Sequence, residues 1–112
     1  MQKILIDRFI LPKSSQEEFF QRVKINRDFI KTLPGFIKDS AYSREEGDLL
    51  FFVTVAVWKD QEAIENAKKN VFSEYEKQGF DMPAMLKRLG ISIERGIFEE
   101  ADVNDSRLNW AK

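Results

Sequence analysis

Residues Leu49 to Trp58 limit most what this chain can fold into. The run reads Leu-Leu-Phe-Phe-Val-Thr-Val-Ala-Val-Trp, and Thr54 is its only interior polar residue. β-Branched and aromatic residues at this density read as a strand. Successive side chains point to opposite faces, so a strand that is apolar on both must be covered on both. The chain has 112 residues, enough for one domain. One helical layer covers one face of its sheet. A second copy of the chain is the economical cover for the other, which predicts a homodimer through the sheet face.

The segments around this strand predict the rest of the fold. Lys3 to Leu11 alternates, with Ile4, Ile6 and Ile10 on one face and Leu5, Phe9 and Leu11 on the other, and Pro12 ends it. Ser14 and Ser15 each precede a glutamate by three (Glu17 and Glu18), the spacing of a capping box. The helix that follows carries Phe19, Val23, Ile30 and Leu33 on one stripe, and Leu33-Pro34-Gly35 stops it. Phe36 to Arg44 reads as a second strand, joined to the third by a turn at Glu45-Glu46-Gly47-Asp48. Asp60 caps a second helix with Ala63, Ile64, Ala67, Val71 and Tyr75 inward. A short helix starts at Asp81 with Pro83 and closes at Gly90. Ile91 to Phe98 is the last strand, with Ile91, Ile93 and Ile97 on one face. The order is βαββαβ, a ferredoxin-like α+β sandwich. It gives a domain over residues 1–100 and a polar tail, Ala101 to Lys112, with Leu108 and Trp110 in it.

Composition removes several function classes. The chain has no Cys and no His, so thiolate chemistry, His-ligated haem and a histidine base are all excluded. It carries 18 basic against 19 acidic residues, a balance without the footprint of a nucleic-acid or membrane-surface binder. No apolar run is long enough to span a bilayer, and Lys3 and Asp7 interrupt the first one, so a cytoplasmic location is expected. Phenylalanine occurs ten times, which suits a core and also a pocket for flat ligands.

From Lys3 to Phe98 the chain resembles the antibiotic biosynthesis monooxygenase family of dimeric α+β barrels. The resemblance lies in the first strand, in Leu33-Pro34-Gly35-Phe36, and in Phe52-Val53-Thr54-Val55-Ala56-Val57-Trp58-Lys59-Asp60. It continues through Gln61-Glu62-Ala63-Ile64 and Ala67. A strand ending in Trp before an Asp-capped helix is typical of that family. The resemblance implies two sheets packed face to face across a dimer axis, with a ligand cavity between sheet and helices. It implies a monooxygenase that needs no cofactor, in which a small hydroxylated aromatic of the quinol type gives electrons to oxygen without metal or flavin. Many members carry a histidine on the second helix, and this chain has none. The missing histidine points away from the haem-degrading branch. It also keeps open an alternative, a non-enzymatic ligand-binding or stress-related dimeric barrel, and a purely structural domain beside it.

Such chemistry calls for hydrogen-bond donors aimed at a developing oxyanion inside a dry cavity. Trp58 is the first candidate, a donor on an apolar body, or else an anchor at the sheet end. Asn66 is the position the resemblance favours, and Asn70 lies nearer the apolar stripe; either also reads as a solvated flank residue. Tyr75 falls on the inner stripe, where its hydroxyl needs a ligand or a backbone partner. Asn26 interrupts the apolar stripe of the first helix, so its amide faces either a polar pocket or a structural bond. Arg88 is a candidate to hold an anionic ligand. Asp7, Arg8, Glu94 and Arg95 sit in neighbouring strands and read as cross-strand ion pairs before catalytic groups.

Overall fold

The computed structural model describes residues 1–104. Leu108 and Trp110 of the expected tail lie outside them. Strand β1 (Lys3–Pro12) leads through a short 3-10 turn, Lys13–Ser15, into helix α1 (Gln16–Ile30). Strands β2 (Phe36–Glu46) and β3 (Leu49–Trp58) form a hairpin, followed by α2 (Gln61–Gln78), α3 (Met82–Leu89) and β4 (Ser92–Phe98). The four-stranded sheet has the order β2-β3-β1-β4, antiparallel throughout, which is the ferredoxin-like arrangement. Among the described residues no helix is long and apolar enough to cross a membrane.

Some expected boundaries move. β2 runs on to Glu46, so the hairpin turn tightens to Gly47-Asp48, with Gly47 at φ 59°. The capping box at Ser14 or Ser15 does not form. Ser15 has helical backbone angles (φ −96°, ψ −4°) that keep its hydroxyl from the helix amides. Its Oγ donates instead to the carbonyl of Leu89 at 2.8 Å, tying the start of α1 to the end of α3. Asp60 and Asp81 do cap their helices, accepting from the amides of Ala63 (2.8 Å) and Ala84 (3.0 Å). Ile91 stays outside β4 and donates its amide to Leu86 at 2.9 Å.

The helices cover one face of the sheet. Against them lie Leu5, Phe9 and Leu11 of β1, Leu50, Phe52, Ala56 and Trp58 of β3, and Ile93 and Arg95 of β4, which share that face by register. Toward the β2–β3 turn this layer is solid. Phe9, Phe19 and Phe52 meet edge to face or tilted, with centroids 5.0 to 6.1 Å apart, and Leu11 and Phe19 are fully buried. Each such side chain contributes about 1.5–3 kcal/mol. A smaller cluster of Ala56, Trp58, Ile64 and Ala67 holds the start of α2. There Gly35, at φ +83°, brings the chain so close to α2 that a β-carbon on it would lie 2.4 Å from that of Ala63. Between the two clusters the helices stand off the sheet.

Among the described residues the other face has no helical cover. Ile4, Ile6 and Ile10 lie there beside Leu49, Phe51, Val53, Val55 and Val57, with Tyr42 and Phe98 at the flanks. Tyr42, Leu49, Ile10 and Phe98 are all exposed. The Arg8–Glu94 pair, 2.9 Å apart, also sits on this face.

Candidate functional site

The gap between the two core clusters is a cavity of about 420 Å³. That is within the range of roughly 300–1,000 Å³ that encloses small organic ligands. Its floor is the helix-covered face of β1, β3 and β4, and its walls are α1 and α2. Phe9, Phe19, Val23, Ile30 and Ala56 make one side apolar, and Ile64, Ala67, Val71 and Phe72 make the other. Part of the phenylalanine content therefore fills the core and part lines the cavity, since Phe9 and Phe19 do both.

Polar groups interrupt these walls at chosen points. Trp58 is buried at the sheet end, packed edge to face on Phe36 with centroids 5.4 Å apart. Its indole Nε1–H is buried and has no partner among the described residues. Asn26 enters the wall from α1, and its Oδ1 is likewise buried without a partner. A buried polar atom left unpaired costs about 1–3 kcal/mol. Such atoms are rare in finished structures, and Arg22 Nε on the same wall makes a third, so the cavity concentrates unused hydrogen-bonding capacity.

The charged groups are mostly paired. Asp7 accepts two bonds from Arg95, at 2.7 and 2.8 Å, across β1 and β4. Asp39 accepts from Arg27 Nε at 2.7 Å, joining β2 to α1. These bonds hold both guanidinium groups still more firmly protonated. Arg8 bonds Glu94 on the open face. The cross-strand pairs expected of Asp7, Arg8, Glu94 and Arg95 are thus present, and the Asp7–Arg95 pair is also part of the cavity wall. Tyr75 lines the far end, edge to face on Phe80 with centroids 5.1 Å apart. Burial pushes its phenol above the ordinary value, against the opposing pull of Arg22, so it is a neutral donor at pH 7.

The structure brings together Trp58, Tyr75 and Asn26 of the residues singled out from sequence, and leaves three others outside. Asn66 is exposed on the outer side of α2, because the inward line of that helix is Ile64, Ala67, Val71 and Tyr75. Asn70 is half-buried but does not line the cavity, and its amide turns back to the carbonyl of Asn66 at 2.9 Å. Arg88 is held at the surface by Glu18, with one bond of 3.1 Å and a second, shorter one. Sequence reasoning passed over Arg22, Arg27, Asp39 and Lys68, all in the wall. Only the i, i+4 spacing of Arg22 and Asn26 could have signalled that the two share a face. Among the described residues, no three His, Cys, Asp or Glu side chains group as metal ligands.

No protein-family model matches the chain, and no curated protein does. Solved structures do. SnoaB, a cofactor-independent oxygenase from Streptomyces nogalater, is 22% identical with a TM-score of 0.64, over 92% of this chain and 96% of that one. A conserved protein from Methanosarcina mazei Go1 is 17% identical with a TM-score of 0.68, over 90% and 94%. A dimeric ferredoxin-like protein from an uncultured marine organism is 16% identical with a TM-score of 0.57, over 91% and 100%. At such identities the likeness carries the fold alone. The chain is a ferredoxin-like α+β domain, the fold that its resemblance to the antibiotic biosynthesis monooxygenases implies.

Proposed function

We propose that the protein is a cofactor-independent monooxygenase that oxidises a small hydroxylated aromatic of the quinol type with O2. The observation that carries this reading is the apolar cavity with an unpaired donor and an unpaired acceptor, Trp58 Nε1–H and Asn26 Oδ1, in its walls. A flat hydroxylated ring suits both. One ring hydroxyl donates to Asn26 Oδ1, and another oxygen accepts from Trp58 Nε1–H. The indole N–H then faces the charge that grows as the substrate becomes a phenolate, in a site with little water to reorganise. The substrate supplies all the electrons. One ring C–H becomes C=O, one atom of O2 enters the product, and the other leaves as water with the two hydrogens lost by the substrate. The cofactor-independent oxygenase among the solved structures of this fold supports the assignment.

The active species is a homodimer through the open sheet face. An apolar face of this extent, with Ile10, Leu49 and Phe98 exposed, is stable in water only when covered. The dimeric ferredoxin-like structure of the same fold supports this.

The test is oxygen uptake by the purified, metal-free protein over a panel of hydroquinones and naphthols. Uptake above the spontaneous rate, lowered about tenfold or more in Trp58→Phe with the fold retained, is expected from the loss of one oxyanion donor. Equal rates in the two proteins would remove Trp58 from the mechanism. No uptake with any compound would leave a binding protein that keeps the cavity without the reaction.

A further inference from the structure

We infer that the cavity's ligand carries a carboxylate and that Arg22 is the residue that selects it, which narrows the substrate class to hydroxylated aromatic acids. This rests on the reading of the cavity as a site for a hydroxylated aromatic.

The cations in the cavity wall are not alike. Arg27 donates to Asp39, Arg95 donates twice to Asp7, and Lys68 lies 3.6 Å from Glu65. Arg22 has no ion pair among the described residues. Its Nη2 donates to the neutral amide oxygen of Gln78. Its guanidinium lies over the Phe80 ring, 3.5 Å from the centroid, and 5.0 Å from that of Tyr75. Its Nε is buried with no partner. The rings attract the charge and hold the plane of the group, but they do not neutralise it. A cation fixed in orientation, short of a counter-ion and with a buried N–H unused is a preorganised receptor for an anion. The planar fork of arginine fits a carboxylate.

Its place in the cavity sets the geometry of the ligand. Arg22 and Asn26 lie one turn apart on the same face of α1, a spacing of about 5–6 Å between β-carbons. One aromatic ring bridges that distance, with its carboxylate at Arg22 and its hydroxyl at Asn26 Oδ1. The Tyr75 hydroxyl, kept protonated by burial, is a second neutral donor beside Arg22. Without a ligand, Arg22 clamps α1 to the C-terminal end of α2. With one, it becomes the charged end of the site.

The test is titration calorimetry under nitrogen, with 1-hydroxy-2-naphthoate and its methyl ester as probes. Oxidation is then absent, and binding is read apart from any oxygenase activity. The acid is expected to bind the wild type roughly ten- to a hundredfold tighter than the ester, the span of one or two charge-assisted hydrogen bonds. Arg22→Gln should bring the two within about threefold, and Arg22→Lys should keep part of the preference. Equal binding of acid and ester by the wild type overturns the carboxylate, and that comparison needs no variant to fold. A preference that survives in Arg22→Gln overturns the role of Arg22. If neither probe binds, the cavity's assignment to hydroxylated aromatics falls and this inference with it. Acid-selective binding without oxygen uptake on any compound would refute the oxygenase reading and leave this one standing.

Discussion

Replacing Asn26 by leucine separates a functional amide from a structural one. The two side chains have the same number of heavy atoms and the same branching, and leucine is the better helix former by a few tenths of a kcal/mol. Asn26 sits in the stripe of Phe19, Val23 and Ile30, with Oδ1 buried in the cavity wall and without a partner among the described residues. Removing an unpaired buried oxygen recovers about 1–3 kcal/mol, and a leucine there adds apolar contact with the wall. In a domain of this size that raises the melting temperature by roughly 4–5 °C per kcal/mol. The same change deletes the only acceptor proposed for a ligand hydroxyl on α1. Affinity for a naphthol should then fall about tenfold, the usual worth of one such bond in a closed site. Chemical denaturation at one protomer concentration, paired with calorimetric titration, reads both quantities. A variant more stable and weaker in binding is the expected outcome. A variant destabilised by more than about 1 kcal/mol, with binding unchanged, would show that the amide holds the fold together and would refute the reasoning.

Other perturbations reach the remaining features. Val55→Glu places a charge at the centre of the open sheet face, so sedimentation should give a mass near 13.2 kDa for the variant and near twice that for the wild type; a monomeric wild type would sink the argument from that face. Gly35→Ala puts a β-carbon 2.4 Å from that of Ala63 at a positive φ, and should cost about 2–4 kcal/mol in urea denaturation. A loss under 1 kcal/mol would mean the turn relaxes freely. Tyr75 carries a raised pKa, so its contribution to stability is intact below the unfolded value, near pH 10, and is lost as pH rises through the folded one. Tyr75→Phe should therefore flatten the alkaline fall in stability, and an unaltered slope would count against burial as its cause.

The fold was legible because its main constraint is local. The two-faced strand, the aspartate caps and the Leu33-Pro34-Gly35 stop each announce themselves within a few residues. Ser15 misled because its hydroxyl is used by a carbonyl 74 positions away, which no local pattern contains. In the candidate site, Trp58, Asn26 and Tyr75 were legible as polar residues on apolar stripes. Arg22 was not, since an arginine on a helix flank reads as solvated until Phe80 is seen to lie under it. Asn66 and Asn70 drew attention by residue type, but at 100° per residue Asn66 falls about a third of a turn from the Ile64–Ala67–Val71 line and Asn70 about a quarter. Arg88 finds its anion in Glu18 on α1, a pairing that depends on how α3 docks.

The Asp7–Arg95 pair spans 88 positions, from the first strand to the last. During synthesis, β1 emerges long before β4. Until β4 arrives, Asp7 faces the helical layer without Arg95, the cation that meets it in the finished sheet. Collapse of the earlier elements would bury a lone carboxylate, which is costly, so the premature state is penalised. Pairing β1 with β4 is a long-range contact, whose loop-closure entropy must be met before the pairing is gained. The same ion pair that walls the cavity thus ties the first strand to the last, and its stabilisation is available only to a sheet that includes both.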